Sequence, residues 1–198
     1  STLLQNYAYV YAYDGQGRMS YRRLPSCSEE WFVYDKGGNQ VMRQNGLLRE
    51  KSQWIATYYD HLGRVRSERL LTGSGTQNHA LVQSYQAAFD DVEISAPELY
   101  SSEGGALLLE NTYDAYPTNL SSSESFSADG LGISNDTRTK SLLTSQRLAR
   151  ITSNGVSSDM CRRVFYYDAY GNILQTIERQ NDSNNANCRV LRHSIVRD

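Results

Sequence analysis

The chain has 198 residues, with 20 Lys and Arg against 22 Asp and Glu, and it contains 15 Tyr but only 4 Phe and 2 Trp. No apolar run approaches the roughly 18–20 residues of a membrane helix, so we expect no membrane span. The near-neutral charge, without long blocks of one sign, argues against nucleic acid as a partner, because nucleic-acid binding needs a basic surface. The content of aromatic and β-branched residues excludes a wholly disordered chain.

A short unit recurs along the chain, and such a repeat defines the architecture. It reads aromatic-x-Tyr-Asp-x-x-Gly-[Arg/Asn]-apolar. A degenerate copy begins at Tyr113-Asp114 and has Pro117 in place of the glycine. The repeated positions of the well-preserved copies are Tyr13, Asp14, Gly17 and Arg18, then Tyr34, Asp35 and Gly38, then Tyr59, Asp60, Gly63 and Arg64, and finally Tyr167, Asp168 and Gly171.

Each unit predicts a β-hairpin. The alternating aromatic residues before the Asp indicate a strand with a period of two. Asp suits the first position of a type I turn, where its side chain bonds the backbone just ahead. Gly supplies the left-handed backbone that closes a three-residue hairpin with a G1 bulge. Because a single hairpin is marginally stable, successive hairpins are expected to pair into a long antiparallel sheet that coils, so the chain is mainly β.

Three stretches of the chain differ in character, and we expect them to form one continuous domain. Residues 1–75 hold the first three hairpin units. Residues 76–110 hold a helix and an insertion. Residues 111–198 hold the degenerate copy, a polar loop over 121–139, the fourth good copy and the terminal strands. The loop is rich in Ser, Asp and Gly, so it is expected to lie on the surface with little order.

The middle stretch predicts one amphipathic helix near 77–92 that covers the sheet. Thr76 and Asn78 are the candidate N-caps, and Pro97 blocks a longer helix. A helix that docks a partner is the alternative interpretation. The apolar positions at helical spacing are Leu81, Val82, Tyr85, Ala88, Phe89 and Val92.

The repeated carboxylates invite a calcium or catalytic interpretation. Calcium needs several oxygens converging within one loop, whereas each turn here offers a single Asp, so turn capping is the better account. The cysteines Cys27, Cys161 and Cys188 lack metal-ligand spacing, and either a Cys161–Cys188 bridge or free thiols would fit them. The histidines stand far apart, and no nucleophile–base arrangement follows from the order of residues. We therefore expect neither an enzyme nor a metal or cofactor.

A run of tyrosines opens the chain. Tyr7, Tyr9, Tyr11 and Tyr13 alternate along the first predicted strand, and this alternation would place them on one face. Rings with hydroxyl rims can hold sugars, which makes these four residues the candidate ligand face. Cross-strand stacking that stabilises the sheet is the structural alternative.

Tyr-Asp-x-x-Gly-Arg hairpins at these spacings resemble the YD repeats of the rearrangement-hotspot (Rhs) family, which also occur in the shell of teneurins. The likeness is closest to the Rhs-type cell-surface proteins of Bacteroidetes and covers most of residues 7–178. Trp54 ahead of the third unit contributes to it. So do two further stretches, Arg22-Arg23-Leu24-Pro25-Ser26-Cys27 and Lys140-Ser141-Leu142-Leu143-Thr144.

The resemblance implies that the chain is a fragment of a spiralling shell in a larger secreted or cell-surface protein. The family role it implies is toxin delivery or contact between cells. The implied partners are the flanking repeats of the parent chain and an encapsulated C-terminal effector, with a surface glycan as the alternative. The Asp-Pro-x-Gly self-cleavage motif of many Rhs shells and a toxin segment are absent from this sequence. A fragment of a continuous sheet has open edges, which predicts edge-to-edge self-association or an edge covered by the helix.

Overall fold

A computed structural model of the chain describes residues 6–73, 78–91, 105–128, 134–152, 155–180 and 189–195. These residues form a mainly β protein whose strands pair antiparallel, which confirms the predicted fold class at that level. The chain divides into two compact units, Ser1–Ala106 and Leu107–Asp198.

The first unit is built from hairpins placed side by side in sequence order. Each strand pairs antiparallel with the next. A short helix, α1 (Gly46–Glu50), begins after Asn45, whose side chain accepts a hydrogen bond from the Leu48 N–H at 3.0 Å. The strands are β1 (Val10–Tyr13), β2 (Met19–Arg23), β3 (Glu30–Tyr34), β4 (Gln40–Gln44), β5 (Gln53–Tyr59) and β6 (Val65–Thr72).

The predicted helix is present as α2 (His79–Asp91). The Asn78 side chain accepts a hydrogen bond from the Leu81 N–H at 3.0 Å, which identifies Asn78 as the N-cap. The other candidate cap, Thr76, lies outside the described residues, as does Val92 at the other end.

The apolar face of α2 covers the core of the first unit. Val82 and Phe89 of the helix are buried, and Tyr85 meets Trp54 edge-on with ring centroids 5.5 Å apart. The helix packs on β3, and the carboxylate of its Asp90 lies 3.2 Å from the Arg18 guanidinium of the first hairpin, while the Tyr11 side chain of β1 is 45% exposed. The buried cluster comprises Trp31, Val33, Val41, Met42, Trp54, Ala56, Tyr58, Leu71, Val82 and Phe89.

The second unit repeats the same plan. Its strands again pair antiparallel in sequence order, and β9–β10 is the hairpin of the fourth good copy. Val164, Tyr166 and Ile177 form its buried cluster, and Tyr116 stacks on Tyr166 with ring centroids 4.9 Å apart. The strands are β7 (Ala106–Tyr113), β8 (Leu143–Thr152), β9 (Gly155–Tyr167), β10 (Ile173–Gln180) and β11 (Val190–Ser194).

The degenerate copy also forms a hairpin, β7–β8, although its turn lacks glycine. The Asp114 N–H donates to the Leu142 carbonyl at 3.1 Å, and the Asp114 carboxylate accepts from the Ser141 N–H at 2.6 Å. Ser141 has a φ of 68°, so it supplies the left-handed backbone that glycine supplies elsewhere. The segment between Asp114 and Ser141 is therefore an insertion into a hairpin of the same design.

The predicted surface loop over 121–139 contains both buried and exposed residues in its described part, and residues 129–133 lie outside the described residues. Ser122–Glu124 form one turn of 3-10 helix, and Glu124 is fully buried. Phe126 packs on Tyr166 with ring centroids 5.5 Å apart. Glu124 forms ion pairs with Arg162 and Arg179, and these pairs stabilise the buried carboxylate in a segment whose polar composition predicted exposure to solvent.

Candidate functional site

The four good repeat units share one hydrogen-bonded turn. In each, the Asp N–H donates to the carbonyl four residues on at 2.9 Å. The Asp Oδ1 accepts from the N–H of that same later residue, as Asp14 does from Arg18 at 2.9 Å and Asp60 does from Arg64 at 3.0 Å. The carboxylate therefore closes the turn that the backbone begins, and the same contacts recur at Asp35 and Asp168.

Either Arg or Asn can occupy the position after the glycine, because both side chains reach the same oxygen of the turn Asp. Arg64 Nε donates to Asp60 Oδ2 at 2.7 Å. Asn39 Nδ2 donates to Asp35 Oδ2 at 2.9 Å, so it supplies the same single donor from a shorter side chain. In the fourth copy, Asn172 donates to Asp168 as Asn39 does to Asp35. In the first copy, Arg18 donates to Asp14 as Arg64 does to Asp60. Arg and Asn at this position therefore make the same hydrogen bond to the turn carboxylate.

Glycine in these turns is required by the backbone rather than by space. Gly63 has a φ of 75°, and nothing lies within 4 Å of the place where a side chain would begin. The corresponding glycines of the other copies also have positive φ. A β-carbon would fit sterically but would strain a left-handed residue.

The hydrogen bonds of the turn favour the charged form of the Asp14 and Asp60 carboxylates. Burial alone would raise the pKa of Asp60, but hydrogen bonds from the Arg64 N–H, the Arg64 guanidinium and the Leu62 N–H hold it below its ordinary value. The pKa of Asp14 is lowered in the same way, against burial, by Arg18 and by the Gln16 N–H. Each carboxylate is thus occupied within its own turn.

In the second and third repeat units, the tyrosine binds its hairpin to the preceding one. The Tyr34 hydroxyl donates to the Met19 carbonyl at 2.8 Å, and the Tyr59 hydroxyl donates to the Gln40 carbonyl at 2.9 Å. Both acceptors are the first residue of the preceding return strand. Arg18 adds to the first of these ties, since its guanidinium lies over the Tyr34 ring at 5.2 Å.

The second unit contains the same tie between hairpins. The Tyr167 hydroxyl donates to the Leu143 carbonyl at 2.6 Å, and Leu143 is the first residue of β8. Burial raises the pKa of the Tyr167 phenol, as it does for Tyr34 and Tyr59, so all three remain donors at neutral pH. We call these contacts the tyrosine ties.

Tyr13 of the first unit differs from its counterparts. Its side chain is 63% exposed, and within the described part of the chain its hydroxyl makes no tie to a preceding strand. Tyr9 and Tyr11 are exposed as well, at 66% and 45%. The tyrosine-rich edge of the sheet, which we define as Tyr9, Tyr11 and Tyr13, is therefore open.

The prediction that Tyr7 and Tyr9 share a strand face with Tyr11 and Tyr13 is wrong. Strand β1 begins at Val10, so both residues precede it, and Tyr7 lies in a helical turn with Asn6. The Ser26 hydroxyl donates to the Asn6 carbonyl at 3.3 Å and holds the chain there off the line of the strand. A bulge between Ala12 and Tyr13 further changes the register at the end of β1.

A depression of about 260 Å³ lies over strands β2 to β5, on the face of the sheet opposite the core. Arg22 and Glu30, which form an ion pair, line it together with Phe32 and Arg43. Tyr11 is directly opposite Arg22 in the β1–β2 register, so both side chains project from the same face. Charged groups and an exposed ring thus adjoin each other on the outer face.

Two glutamine side chains, the half-buried Gln86 and the fully buried Gln175, bind backbone groups of segments far away in the chain, and no pattern in the sequence predicted them. Gln86 of α2 accepts from the Tyr34 N–H at 3.0 Å and donates to the Tyr34 carbonyl at 2.9 Å. Gln175 of β10 makes the same two bonds with the backbone of Ser127, at 3.2 and 2.9 Å. Each side-chain amide thus bonds one backbone N–H and one backbone carbonyl, as a neighbouring strand would. No local sequence pattern marks a glutamine for this purpose.

Glu124 is a second group that sequence reasoning missed. Its carboxylate lies 3.0 Å from Arg179 and 3.5 Å from Arg162, and it accepts from the Ser121 N–H at 3.0 Å. Burial alone would raise its pKa, but Ser121 and the two guanidinium groups hold it below its ordinary value. The Ser121-x-x-Glu124 spacing of a capping box is the sequence signal that would have identified it.

Within the described ranges, no group of three or more His, Cys, Asp and Glu side chains lies close enough together to hold a metal ion. Cys27 and Cys161 are free thiols, and Cys188 lies outside the described residues. None of the helices in the described stretches is long and apolar enough to cross a membrane.

Comparison with known proteins returned no family model that matches the chain and no curated protein that resembles it.

Proposed function

We propose that this chain is a structural, encapsulating segment of a larger secreted or cell-surface bacterial protein of the Rhs type. In this role the hairpins are wall elements, and toxin delivery or contact between cells is the task of the whole protein. The segment has no chemistry of its own to perform. Its side chains serve to join one hairpin to the next.

The tyrosine ties carry the proposal. Tyr34, Tyr59 and Tyr167 each use the repeated hydroxyl to bind the preceding hairpin. A ligand site would instead leave such hydroxyls directed at a common space. Because three of the four good repeats use their Tyr to bind the preceding hairpin, and all four use their Asp and Arg or Asn within the turn, more repeats would extend the wall without changing the contacts.

The gene that encodes the chain provides the direct test. We expect the reading frame around it to encode further Tyr-Asp-x-x-Gly hairpins and a C-terminal domain of unrelated composition. A protein lacking further units of this kind would contradict the proposal. In the longer protein, limited proteolysis should spare the strands, because ties and pairing protect backbone amides.

The second candidate function is carbohydrate binding through the tyrosine-rich edge. The specific observation in its favour is the exposed Tyr11, which lies opposite Arg22 in the β1–β2 register, because Arg22 and Glu30 line the charged depression. Sugar rings stack on exposed aromatic faces while charged groups bond their hydroxyls.

A glycan array on the purified chain separates the two functions. Selective binding that is lost in both Tyr9→Ala and Tyr11→Ala, with the thermal transition unchanged, would favour the carbohydrate site. Tyr170→Ala is the matched control, because Tyr170 is 91% exposed at the tip of the fourth turn. Under the structural proposal, none of these variants changes binding to any glycan.

A further inference from the structure

We propose that residues 116–127 form a strap that the ionised carboxylate of Glu124 holds closed over β9 and β10, and that acid releases the strap by protonating this carboxylate. The strap is part of the insertion between Asp114 and Ser141. Its release uncovers the face of the second unit at Tyr166, on which Tyr116 and Phe126 of the strap are packed. The proposal concerns a conformational change within the fold and does not depend on the proposed function.

The strap lies over a row of arginines. Arg147 of β8, Arg162 of β9 and Arg179 of β10 are directly opposite one another in the strand register, so their side chains project from the same face. Like charges opposite each other destabilise a sheet. Glu110 of β7 lies in the same row and pairs with Arg147 at 2.7 Å. Glu124 is the acid that the structure places against the other two arginines.

Glu124 joins the strap to this row through a buried contact. Its side chain is 1% exposed, and its carboxylate lies 3.0 Å from Arg179 and 3.5 Å from Arg162. Arg162 also donates to the Asn119 carbonyl at 3.3 Å, and Arg179 donates to the Ser121 hydroxyl at 3.3 Å. Neutralising one partner of a buried ion pair is strongly destabilising, because the other charge stays buried without compensation. The closed strap therefore requires an ionised Glu124.

The other groups that face Glu124 do not replace its negative charge. The Tyr166 hydroxyl donates to the Glu124 carbonyl at 2.7 Å, and burial raises the pKa of this phenol, so it stays neutral. Arg192 of β11 adds a further positive charge and donates to two strap carbonyls at 3.3 and 3.5 Å. Arg163 and Glu178 pair with each other on the opposite face of β9 and β10. Protonation of Glu124 thus leaves three arginines around a neutral side chain.

The release can stay local because the hairpin anchors both ends of the insertion. The Thr139 hydroxyl donates to the Asp114 carbonyl at 2.7 Å, and the Asp114 carboxylate accepts from the Ser141 N–H at 2.6 Å. The pairing of β8 with β9 and of β9 with β10 joins these strands directly and involves no residue of the strap. The strap can therefore leave its place while the hairpins remain paired.

The sign of the pH dependence follows from the contacts of Glu124. Burial alone would raise its pKa, but the hydrogen bonds from Ser121 and the charges of Arg179 and Arg162 hold it below its ordinary value of 4.5. In the released strap the carboxylate is solvated and has its ordinary pKa. The contacts of Glu124 thus stabilise the closed form fully above pH 4.5. This stabilisation is lost as the pH falls through the pKa of the closed form.

Amide hydrogen exchange of the whole chain, from about pH 7 to about pH 3, tests the release. The readout is the protection factor, from which the intrinsic effect of pH on exchange has been divided out. Ser121, Glu124 and Ser127 of the strap each donate a backbone hydrogen bond, so their amides report its closure. We expect their protection to fall on acidification, while the paired amides of β9 and β10 stay better protected at every pH.

Substitution of Glu124 mimics the protonated state. Glu124→Gln should lower the protection of the strap amides about 100-fold or more at neutral pH and should remove most of its pH dependence. Glu178→Gln is the matched control, because it removes a paired carboxylate from the opposite face of β10. This control should leave the strap amides and their pH dependence as in the parent. Circular dichroism of each variant confirms that it is folded.

A milder variant tests the same contact if Glu124→Gln does not fold. The Ser121 hydroxyl donates to the Glu124 carboxylate at 2.7 Å. Ser121→Ala removes this bond to the charged form, so it should lower the protection of the strap amides about tenfold and move the acid release to higher pH.

Three results would overturn the proposal. The first is strap protection that does not change with pH. The second is equal protection of the strap and of the strands of the second unit, which would mean that the unit opens as a whole. The third is a folded Glu124→Gln variant, or a folded Ser121→Ala variant, whose strap protection follows pH as in the parent, because the release would then depend on another group.

Discussion

Replacing Asp60 by Ala tests whether the turn carboxylates hold the hairpins closed. Asp60 accepts hydrogen bonds from the Leu62 N–H at 2.9 Å, the Arg64 N–H at 3.0 Å and Arg64 Nε at 2.7 Å. Loss of a comparable cap on a helix costs about 1 kcal/mol, and a hydrogen bond to a charged group contributes roughly 1.5–3 kcal/mol. Because the turn borders solvent, which weakens these interactions, we expect less than that sum, a loss of about 2 kcal/mol in the free energy of unfolding.

Tryptophan fluorescence during urea unfolding measures this change in the first unit alone. The chain has 2 Trp, and both Trp31 and Trp54 lie in the buried cluster of that unit. With a urea dependence of about 2 kcal/mol per molar, the midpoint for Asp60→Ala should fall by roughly 1 M. The same substitution at Asp168, in the second unit, should leave the fluorescence transition nearly unchanged.

Substitutions of Arg64 provide the sharper control. Arg64→Asn keeps a single donor to Asp60, as Asn39 does for Asp35, so its stability should stay within about 0.5 kcal/mol of the parent. Arg64→Ala removes the donor and should cost about 1 kcal/mol. An Asn variant as unstable as the Ala variant would refute the equivalence of the two side chains. An Asp60→Ala midpoint equal to that of the parent would refute the larger argument.

Further substitutions, and unfolding at lower pH, test the other contacts. Gly63→Ala should cost about 1 kcal/mol in the fluorescence assay, because φ is 75°, while Gly63→Asn should cost less. Gln86→Leu should cost about 1–3 kcal/mol in the same assay, because the Tyr34 backbone groups lose their partner. Glu124→Gln should destabilise the second unit by roughly 3 kcal/mol, which faster amide exchange over 155–180 would report. The folded pKa values of Asp60 and Glu124 lie below their ordinary 3.8 and 4.5, so the unfolded chain binds more protons in that range. The melting temperature should therefore hold above about pH 4.5 and fall below it, and a melting temperature that rises on acidification would contradict the assignment.

The hairpins could be located from the sequence because turn chemistry is local. Each turn is marked by an Asp, a Gly three residues later and an alternating strand on either side. These features lie within one short stretch, so the turns Asp14–Gly17 and Asp60–Gly63 can be predicted from the sequence. The helix α2 could also be predicted from the sequence, since the spacing of its apolar residues and the Asn78 cap are local features. The same reasoning failed at Tyr7, where alternation alone did not show where the strand begins.

The tertiary structure alone decided the contacts between residues far apart in the chain. Ser141 closes the turn of Asp114 across 27 positions, and Gln86 reaches Tyr34 across 52. A sequence pattern records the geometry of neighbours, whereas these partners meet only after the strands have paired. The sequence by itself determined a chain of mainly β hairpins with a tyrosine in every unit. The structure decided that three of those tyrosines, Tyr34, Tyr59 and Tyr167, bind the preceding hairpin, whereas Tyr13 is 63% exposed.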